Sequence, residues 1–280
     1  MLTWIKERFR RNPTVPVIRL SGVIASSGGL LSGRSLSVDS VAPLLKRAFE
    51  MRGAKAVALA INSPGGSPVQ SALIAQRIRL HAAEKNLPVI AFVEDVAASG
   101  GYWLACAADE IIVDPSSIVG SIGVISAGFG FQELIARHGI ERRVHTSGER
   151  KAMLDPFRPE NPEDVERLKR LQAEIHDGFK DWVRERRAGR LKGDEATLFT
   201  GEFWVGGQAI KLGLADEVGD LRSVLRERFG KKVQMPLITP PRGLFSWRSA
   251  GAMEHALPGD WAGGLVSAIE ARALWSRYGL

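Results

Sequence analysis

Two short apolar runs constrain the fold of this chain more than any other feature. Residues 54–61 read AKAVALAI and residues 87–94 read LPVIAFVE, with almost no polar residue to mark a solvent face. A strand with one wet face alternates apolar and polar residues, whereas a strand buried on both faces of a parallel sheet is continuously apolar. The two runs therefore predict parallel strands covered by helices on both sides.

The rest of the N-terminal half fits this pattern. Residues 15–24 form a further strand-like segment, and residues 37–53, 67–86 and 100–110 have the spacing expected of helices. Strands that alternate with helices are typical of βα units around a mostly parallel sheet. We therefore predict an α/β core over about residues 15–160.

The pattern changes after this core to longer helices. Asn161 is a good N-cap and Pro162 suits a first helical turn, which predicts a long helix from there. Its apolar residues step by three or four and form one stripe: Val165, Leu168, Leu171, Ile175, Phe179 and Trp182. We expect helical elements to continue to about residue 235, followed by a basic strand at 231–239 that ends the domain.

The two ends of the chain differ in composition from the domain between them. Residues 1–14 combine tryptophan, isoleucine and phenylalanine with basic side chains. Such a basic amphipathic segment can lie on an anionic membrane surface, or it can be a terminal helix that is solvated or docked on a partner. Residues 240–280 form a tail rich in glycine and tryptophan, with an amphipathic helix expected near 261–277.

The net charge of the chain indicates which classes of partner it can bind. A net charge of +7 and a sequence pI near 9.8 favour anionic partners, either nucleic acid or an anionic membrane face. We expect no nucleic-acid partner, because the sequence has neither zinc-finger spacing nor an RNA-binding aromatic motif. It also has no uninterrupted apolar run of about 18 residues and no secretory signal, so we expect a cytoplasmic or peripherally membrane-associated protein.

A glycine turn follows the first buried run. In INSPGGSPVQSA, residues 61–72, a strand runs into Gly65 and Gly66 and then into a helix. Adjacent glycines let the backbone approach a ligand, and N–H groups at a helix start can stabilise an oxyanion or a phosphate. The turn matches neither the P-loop nor the dinucleotide-binding pattern, so a purely structural turn is the alternative.

Ser99 lies at the turn after the second buried run, in AASGG. Several hydrolase folds present a nucleophile between a buried strand and a helix, and the N–H of Gly100 would then face the developing oxyanion. The segment is not G-x-S-x-G, however, and serine is a common helix N-cap. Both interpretations stay open on this segment alone.

A nucleophilic serine needs a base, and residues 145–157, HTSGERKAMLDPF, contain two candidates. One is His145, with Asp155 or Asp95 as its orienting carboxylate. The other is Lys151, because a lysine can act as a base where apolar surroundings keep its amine neutral. The alternative for Lys151 is an ordinary surface cation.

Other chemistries find little support in the sequence. Cys106 is the single cysteine, so an intramolecular disulfide is impossible, and its small apolar neighbours indicate a buried packing role. The histidines show no metal-ligand spacing such as H-E-x-x-H. We therefore expect no metal and no cofactor.

Four segments taken in order resemble the signal peptide peptidase A family of bacterial serine–lysine peptidases: INSPGGSP, ASGGYWLACAADEI, SIVGSIGVI and SGERKAMLDPF. The resemblance covers roughly residues 15–235 and implies a ClpP/crotonase-like fold. It implies that Ser99 is the nucleophile, that Lys151 is the general base and that Ser121 orients the lysine amine. It also implies that Gly66 and Gly100 are the oxyanion-hole donors, with Gly65 as the alternative to Gly66.

The activity implied by this resemblance is hydrolysis of peptide bonds, in signal-peptide remnants or other short unfolded peptides. Relatives of this length resemble ring-like homo-oligomers in which neighbouring subunits complete each active site, so Ser99 and Lys151 can come from different chains. Many relatives carry an N-terminal membrane anchor, which we do not recognise in this sequence. The alternatives are a crotonase-like acyl-CoA enzyme, which does not need Ser99 with Lys151, and a non-catalytic scaffold that docks at membranes through its ends.

Overall fold

The computed structural model describes residues 12–26, 35–148, 150–240, 269 and 272–280. Nearly all of the basic segment predicted at 1–14 lies outside the described residues. The same is true of most of the tail at 240–280. Of the helix expected near 261–277, residues 272–276 are described and are helical.

The described residues form seven strands and eight helices in the N-terminal and central parts of the chain. The strands are β1 (Val17–Ser21), β2 (Val57–Ser63), β3 (Val89–Ala98), β4 (Glu110–Val113), β5 (Ile118–Gly120), β6 (Phe203–Val205) and β7 (Glu217–Val218). The helices are α1 (Val38–Phe49), α2 (Pro68–Lys85), α3 (Gly100–Ala105), α4 (Gln132–Arg137), α5 (Pro162–Arg186), α6 (Glu195–Leu198), α7 (Gly206–Lys211) and α8 (Leu221–Phe229).

The strands form one mostly parallel sheet in the order β1-β2-β3-β4-β7. The first part of β3 pairs with β4, and its last three residues pair with β5, in the register Val96↔Ile118 to Ala98↔Gly120. Only β6 is antiparallel, and it pairs with β5. The predicted α/β fold with a mostly parallel sheet is confirmed, and the last residues of β3 and β5 meet at one edge of the sheet.

Both faces of the sheet are covered, as the continuous apolar runs predict. Leu59 and Ile61 of β2 belong to a core cluster that includes residues of α1, α2 and α3. The alternate residues Ala58 and Ala60 point to a second cluster, which includes Val224 of α8. Successive side chains of a strand point to opposite faces, so a strand between two helical layers has no polar position.

The long helix begins as predicted, because the Asn161 side chain accepts a hydrogen bond from the N–H of Glu163 at 2.9 Å and Pro162 is the first helical residue. Of its apolar stripe only Phe179 is buried. Phe179 stacks on Trp103 of α3 with ring centroids 4.6 Å apart, whereas Leu171 and Ile175 are exposed. The predicted basic strand at 231–239 forms only isolated bridges to the β1 region.

Residues 125–160, here called the arm, connect β5 to the long helix α5. The segment IVGSIGVISA, residues 118–127, predicts a strand, but β5 ends at Gly120 and the described residues of the arm contain only the short helix α4. None of the described residues of the arm is buried, and Ile125, Phe129 and Ile140 are exposed on it. No helix among the described residues combines the length and the apolar character needed to cross a membrane.

Candidate active site

Ser99 stands between β3 and α3 in a backbone conformation that side chains rarely adopt. Its φ is 52° and its ψ is −121°. A non-glycine residue at positive φ costs free energy and marks a place where the surrounding structure imposes the conformation. Ser99 occupies the N-cap position of α3, yet its side chain makes no capping hydrogen bond. The helix-cap interpretation is therefore wrong for its hydroxyl.

The glycine turn after β2 is held by the backbone of Ile24. The N–H of Ile24 donates to the carbonyl of Gly65 at 2.9 Å, and the N–H of Ser67 donates to the carbonyl of Ile24 at 2.7 Å. Gly66 lies between these bonds, so its own N–H points away from Ile24, as in a parallel ladder. A Cβ on Gly66 would lie 2.1 Å from the Ile24 carbonyl oxygen, so only glycine fits.

The glycine turn packs directly against the Ser99 turn. A Cβ on Gly65 would lie 2.8 Å from both the Gly100 nitrogen and the Ser99 Cβ. The N–H of Gly66 has no acceptor among the described residues, and that of Gly100 has none within α3, because it is the first residue of the helix. Two backbone donors thus stand near the Ser99 hydroxyl.

Ser121 lies beside Ser99 across the sheet. The N–H of Ser99 donates to the carbonyl of Gly120 at 2.8 Å, so the residue after β3 is bonded to the last residue of β5. Ser121 comes next and also has a positive φ, of 53°. Its N–H donates to the carbonyl of Glu202 at 2.7 Å. Two serines distant in the sequence are therefore brought to one edge of the sheet.

Two buried serines that were not among the predicted site residues, Ser63 and Ser71, support this arrangement. The Ser63 hydroxyl donates to the carbonyl of Gly22 at 2.7 Å and accepts from the N–H of Gly65 at 3.3 Å. The Ser71 hydroxyl donates to the carbonyl of Ser67 at 2.9 Å. A serine at the end of a buried apolar strand and another on the buried side of a helix were the available signals.

Lys151 lies on the arm, outside the hydrogen bonds that connect this cluster. It is exposed, in a turn of the arm, where its backbone N–H donates to the carbonyl of Gly148 at 3.2 Å. In the part of the chain that the structure describes, no hydrogen bond joins the Lys151 side chain to Ser99 or Ser121. One chain alone therefore brings together the serines and the glycines but not the lysine.

The carboxylates suggested for His145 are engaged elsewhere. Asp155 pairs with Arg142 at 3.0 Å, and the hydrogen bond from Arg142 lowers the pKa of Asp155 below its ordinary value. Asp95 accepts a hydrogen bond of 2.5 Å from the Asn62 amide. Within the described residues neither carboxylate bonds to His145, which is exposed on the arm. This arrangement gives no support to a histidine base.

A cavity of about 1150 Å³ lies between the arm and the beginning of α5. Phe129, Phe131 and Met153 line its apolar part, and Asp164 and Arg167 line its polar part. None of the serines or glycines described above lines it. The cavity is therefore separate from the Ser99 cluster.

The chain is similar in sequence to known proteins. Over 99% of its length the chain is 53% identical to a Brucella abortus protein named as a Na(+)/H(+) antiporter NhaA, of which it spans 38%. It is 32% identical to the chloroplastic serine protease SPPA of Arabidopsis thaliana, over 74% of the chain and 31% of that protein. The chain thus spans less than two fifths of the length of these two relatives.

A solved structure supports the fold assignment. It is a mutant of the 1510-N membrane-bound stomatin-specific protease in complex with a substrate peptide, 18% identical to this chain, with a TM-score of 0.53 over 83% of this chain and 94% of that one.

The model of one family, described as peptidase family S49, matches residues 81–233. This match covers more than half of the chain and includes Ser99, Ser121 and Lys151. It lies within the segment shared with the Brucella protein, although that protein's name refers to a transporter. The chain therefore belongs to peptidase family S49.

Proposed function

We propose that this chain is a serine endopeptidase that uses Ser99 as nucleophile and Lys151 as general base. The observation that carries the proposal is the conformation of Ser99. Its backbone is held at a φ of 52° with no capping bond from the hydroxyl, beside the backbone donors of Gly66 and Gly100. A strained serine next to unused N–H groups is the arrangement that acyl transfer requires.

The reaction follows from these groups. The neutral amine of Lys151 takes the proton of the Ser99 hydroxyl, and the alkoxide attacks the carbonyl carbon of a peptide bond. The N–H groups of Gly66 and Gly100 stabilise the oxyanion of the tetrahedral intermediate. The protonated lysine then gives its proton to the leaving amine, and water hydrolyses the acyl-enzyme by the same route. Ser121 holds the lysine amine through its hydroxyl.

The second part of the proposal is that Lys151 serves Ser99 of a neighbouring copy in a homo-oligomer. Lys151 is exposed on the arm, of which no described residue is buried. The arm also exposes Ile125 and Phe129, and the adjoining stripe of α5 exposes Leu171 and Ile175. Exposed apolar side chains on connected elements are typical of an interface that forms in the assembly.

The substrate class is an extended peptide, and we propose signal-peptide remnants or other short unfolded peptides. The substrate peptide in complex with the 1510-N protease supports a peptide substrate. We also propose that the basic segment at 1–14 touches an anionic membrane surface, where such peptides are released. Flotation of the chain with anionic vesicles tests this contact, and unchanged flotation after deletion of residues 1–12 would refute it.

A fluorophosphonate probe tests the nucleophile. We expect the probe to label the purified chain at Ser99 and Ser99→Ala to abolish both labelling and hydrolysis of casein or of a signal-peptide fragment. Lys151→Ala should abolish hydrolysis while leaving the fold intact by circular dichroism. Full hydrolysis by Lys151→Ala would refute the dyad, and absence of any labelling at Ser99 would refute the nucleophile.

Mixing two inactive variants tests the shared site. Ser99→Ala retains Lys151, and Lys151→Ala retains Ser99, so a mixed oligomer contains some sites with both groups. We expect hydrolysis to return after subunit exchange. If native mass spectrometry detects mixed oligomers and hydrolysis stays absent, Ser99 and Lys151 pair within one chain.

The exposed stripe of α5 gives a second test of assembly. Ile175→Glu should yield a monomer by light scattering and lose hydrolysis, because a charge would then enter the proposed interface. Val69→Glu on α2 is the matched control, since Val69 is equally apolar and 65% exposed but lies on another helix. An Ile175→Glu chain that stays oligomeric would place the interface elsewhere.

The other two hypotheses fit the observations less well. A crotonase-like acyl-CoA enzyme shares the fold but has no use for a strained Ser99. A non-catalytic scaffold has no need to keep the two serines and the oxyanion glycines together. Membership of a peptidase family favours hydrolysis over both.

A further inference from the structure

The C-terminal residues of the chain lie against Ser121. The Tyr278 hydroxyl donates a hydrogen bond of 3.3 Å to the Ser121 Oγ. The Tyr278 ring packs edge-on against Phe203, with ring centroids 5.3 Å apart and planes at 73°. A residue near the end of the chain thus contacts a serine of the candidate active site.

Phe203 and Ser121 belong to one small structural unit. Phe203 begins β6 and pairs with Gly120 of β5, while the Ser121 N–H donates to the carbonyl of the preceding residue, Glu202. The same Gly120 accepts the hydrogen bond from Ser99. The surface made by Phe203 and the Ser121 hydroxyl therefore adjoins the nucleophile.

We propose that Ser121 and Phe203 form a binding subsite for a peptide segment with a tyrosine side chain, and that the chain's own residues 272–280 occupy it. The chemistry of the surface fits this ligand, because Phe203 offers a ring and Ser121 offers a hydroxyl at the distance of a phenol. Aromatic rings prefer this edge-on arrangement. The last residues also turn back, since the N–H of Tyr278 donates to the carbonyl of Trp275 at 2.9 Å, which presents the phenol.

The occupant restrains the site, a consequence that rests on the proposed function. A phenol on the Ser121 hydroxyl takes the position from which that hydroxyl would hold the amine of Lys151. The bond of 3.3 Å is longer than the usual O–H···O distance of about 2.8 Å, so the phenol can be displaced. Substrate or the incoming lysine therefore competes with the C-terminal segment.

Peptide binding tests the subsite without any need for activity. The protein is the full chain with Ser99→Ala and Tyr278→Ala, which leaves the subsite empty and prevents cleavage. The probe is a fluorescein-labelled peptide of residues 272–280, RALWSRYGL, followed by anisotropy. We expect saturable binding that weakens about fivefold when Phe203→Ala removes the ring contact.

A matched control and a second peptide sharpen the test. Leu80→Ala removes an exposed apolar side chain on α2 and should leave peptide binding unchanged. Replacing the tyrosine of the peptide by phenylalanine removes only the hydroxyl and should weaken binding about threefold. No saturable binding, or equal binding to the Phe203→Ala and Leu80→Ala chains, would overturn the proposal.

The functional consequence has its own readout. In the otherwise unchanged full chain, Tyr278→Ala should raise kcat/KM for a short peptide several-fold, and free RALWSRYGL should reverse the gain. Unchanged kcat/KM would overturn the restraint. If the peptide binds as expected while no variant hydrolyses peptides or reacts with a fluorophosphonate, the proposed function fails and the subsite stands.

Discussion

The backbone N–H of Ser99 donates a hydrogen bond of 2.8 Å to the carbonyl of Gly120. This bond continues the β3–β5 ladder by one residue beyond the Ala98↔Gly120 pair and sets Ser99 beside Ser121. Both serines leave the sheet at positive φ, 52° and 53°. Paired strand ends thus fix the two hydroxyls without any direct bond between the side chains.

The strain at Ser99 predicts that this residue, the proposed nucleophile, lowers the stability of the fold. Ser99→Gly should raise the free energy of unfolding by about 1 kcal/mol, because relief of about 1–3 kcal/mol of backbone strain exceeds the entropic cost of glycine, about 0.5–1 kcal/mol. It should also abolish hydrolysis. Urea unfolding followed by circular dichroism measures the change.

Ser99→Ala is the control for this prediction. It also removes the hydroxyl but keeps the Cβ, so it should abolish hydrolysis without the gain in stability. Equal stability of the glycine and alanine variants would show that the Ser99 backbone is not strained.

The close packing around Gly100 predicts that a larger residue at this position displaces its backbone N–H. A Cβ at this position would lie 2.4 Å from the Ser71 Oγ and 3.1 Å from the Ile24 Cδ1. Gly100→Ala should therefore displace the N–H from the proposed oxyanion hole and lower kcat by about 10²–10³, the usual cost of one lost donor. Overpacking should also lower the free energy of unfolding by about 1–3 kcal/mol.

Gly207→Ala provides the comparison. Gly207 lies in α7 with nothing within 4 Å of an added Cβ, so alanine should leave hydrolysis unchanged and stabilise the helix slightly. Steady-state kinetics and urea unfolding of both variants decide the matter. If Gly100→Ala keeps the wild-type kcat, Gly100 is not a donor of the oxyanion hole.

The parallel core could be predicted because its signal is local. In β2, Leu59 and Ile61 face one helical layer and Ala58 and Ala60 face the other, so residues 57–61 are all apolar and the sequence itself shows two buried faces. The glycine turn could also be predicted, because the close approach of Ile24 to Gly66 requires a glycine and the paired glycines stand out in the sequence. Each of these features depends on a few neighbouring residues.

The features that could not be predicted from the sequence depend on contacts between distant residues. The stripe of α5 looks uniform in the sequence, yet Phe179 finds Trp103 as a partner while Leu171 and Ile175 find none in the chain. Likewise, the contact of Tyr278 with Ser121 joins residues 157 positions apart and leaves no pattern in either segment. Sequence periodicity identifies an apolar face but not what covers it.

Cys106 should be chemically inert in the folded chain. It is fully buried, and burial raises the pKa of its thiol to about 12. The thiolate is the reactive form, so iodoacetamide at pH 8 should modify the native protein at least about 100-fold more slowly than the protein in guanidinium chloride. Mass spectrometry gives the extent directly, because the chain has a single cysteine. Rapid modification of the native protein would mean that α3 opens readily.

The pair between Arg187 and Asp216 predicts how stability depends on pH. Arg187 is only 2% exposed and donates to both carboxylate oxygens of Asp216, at 2.7 Å and 2.9 Å. Burial alone would raise the pKa of Asp216, but the hydrogen bonds from Arg187 and from the N–H of Ile111 outweigh it and lower that pKa. The stabilisation is therefore complete above the unfolded value of about 3.9 and is lost as the pH falls through the lower folded value.

Asp216→Asn tests this directly. The substitution leaves the buried guanidinium of Arg187 without a counter-charge, so at pH 7 we expect the free energy of unfolding to fall by about 3 kcal/mol. As the pH falls through the lowered folded pKa of Asp216, the variant and the wild type should converge, because the wild-type carboxylate then becomes protonated as well. Asp177→Asn removes an exposed carboxylate paired with Lys180 and should leave stability at pH 7 unchanged. A constant difference between Asp216→Asn and wild type from pH 7 to pH 2 would contradict the linkage.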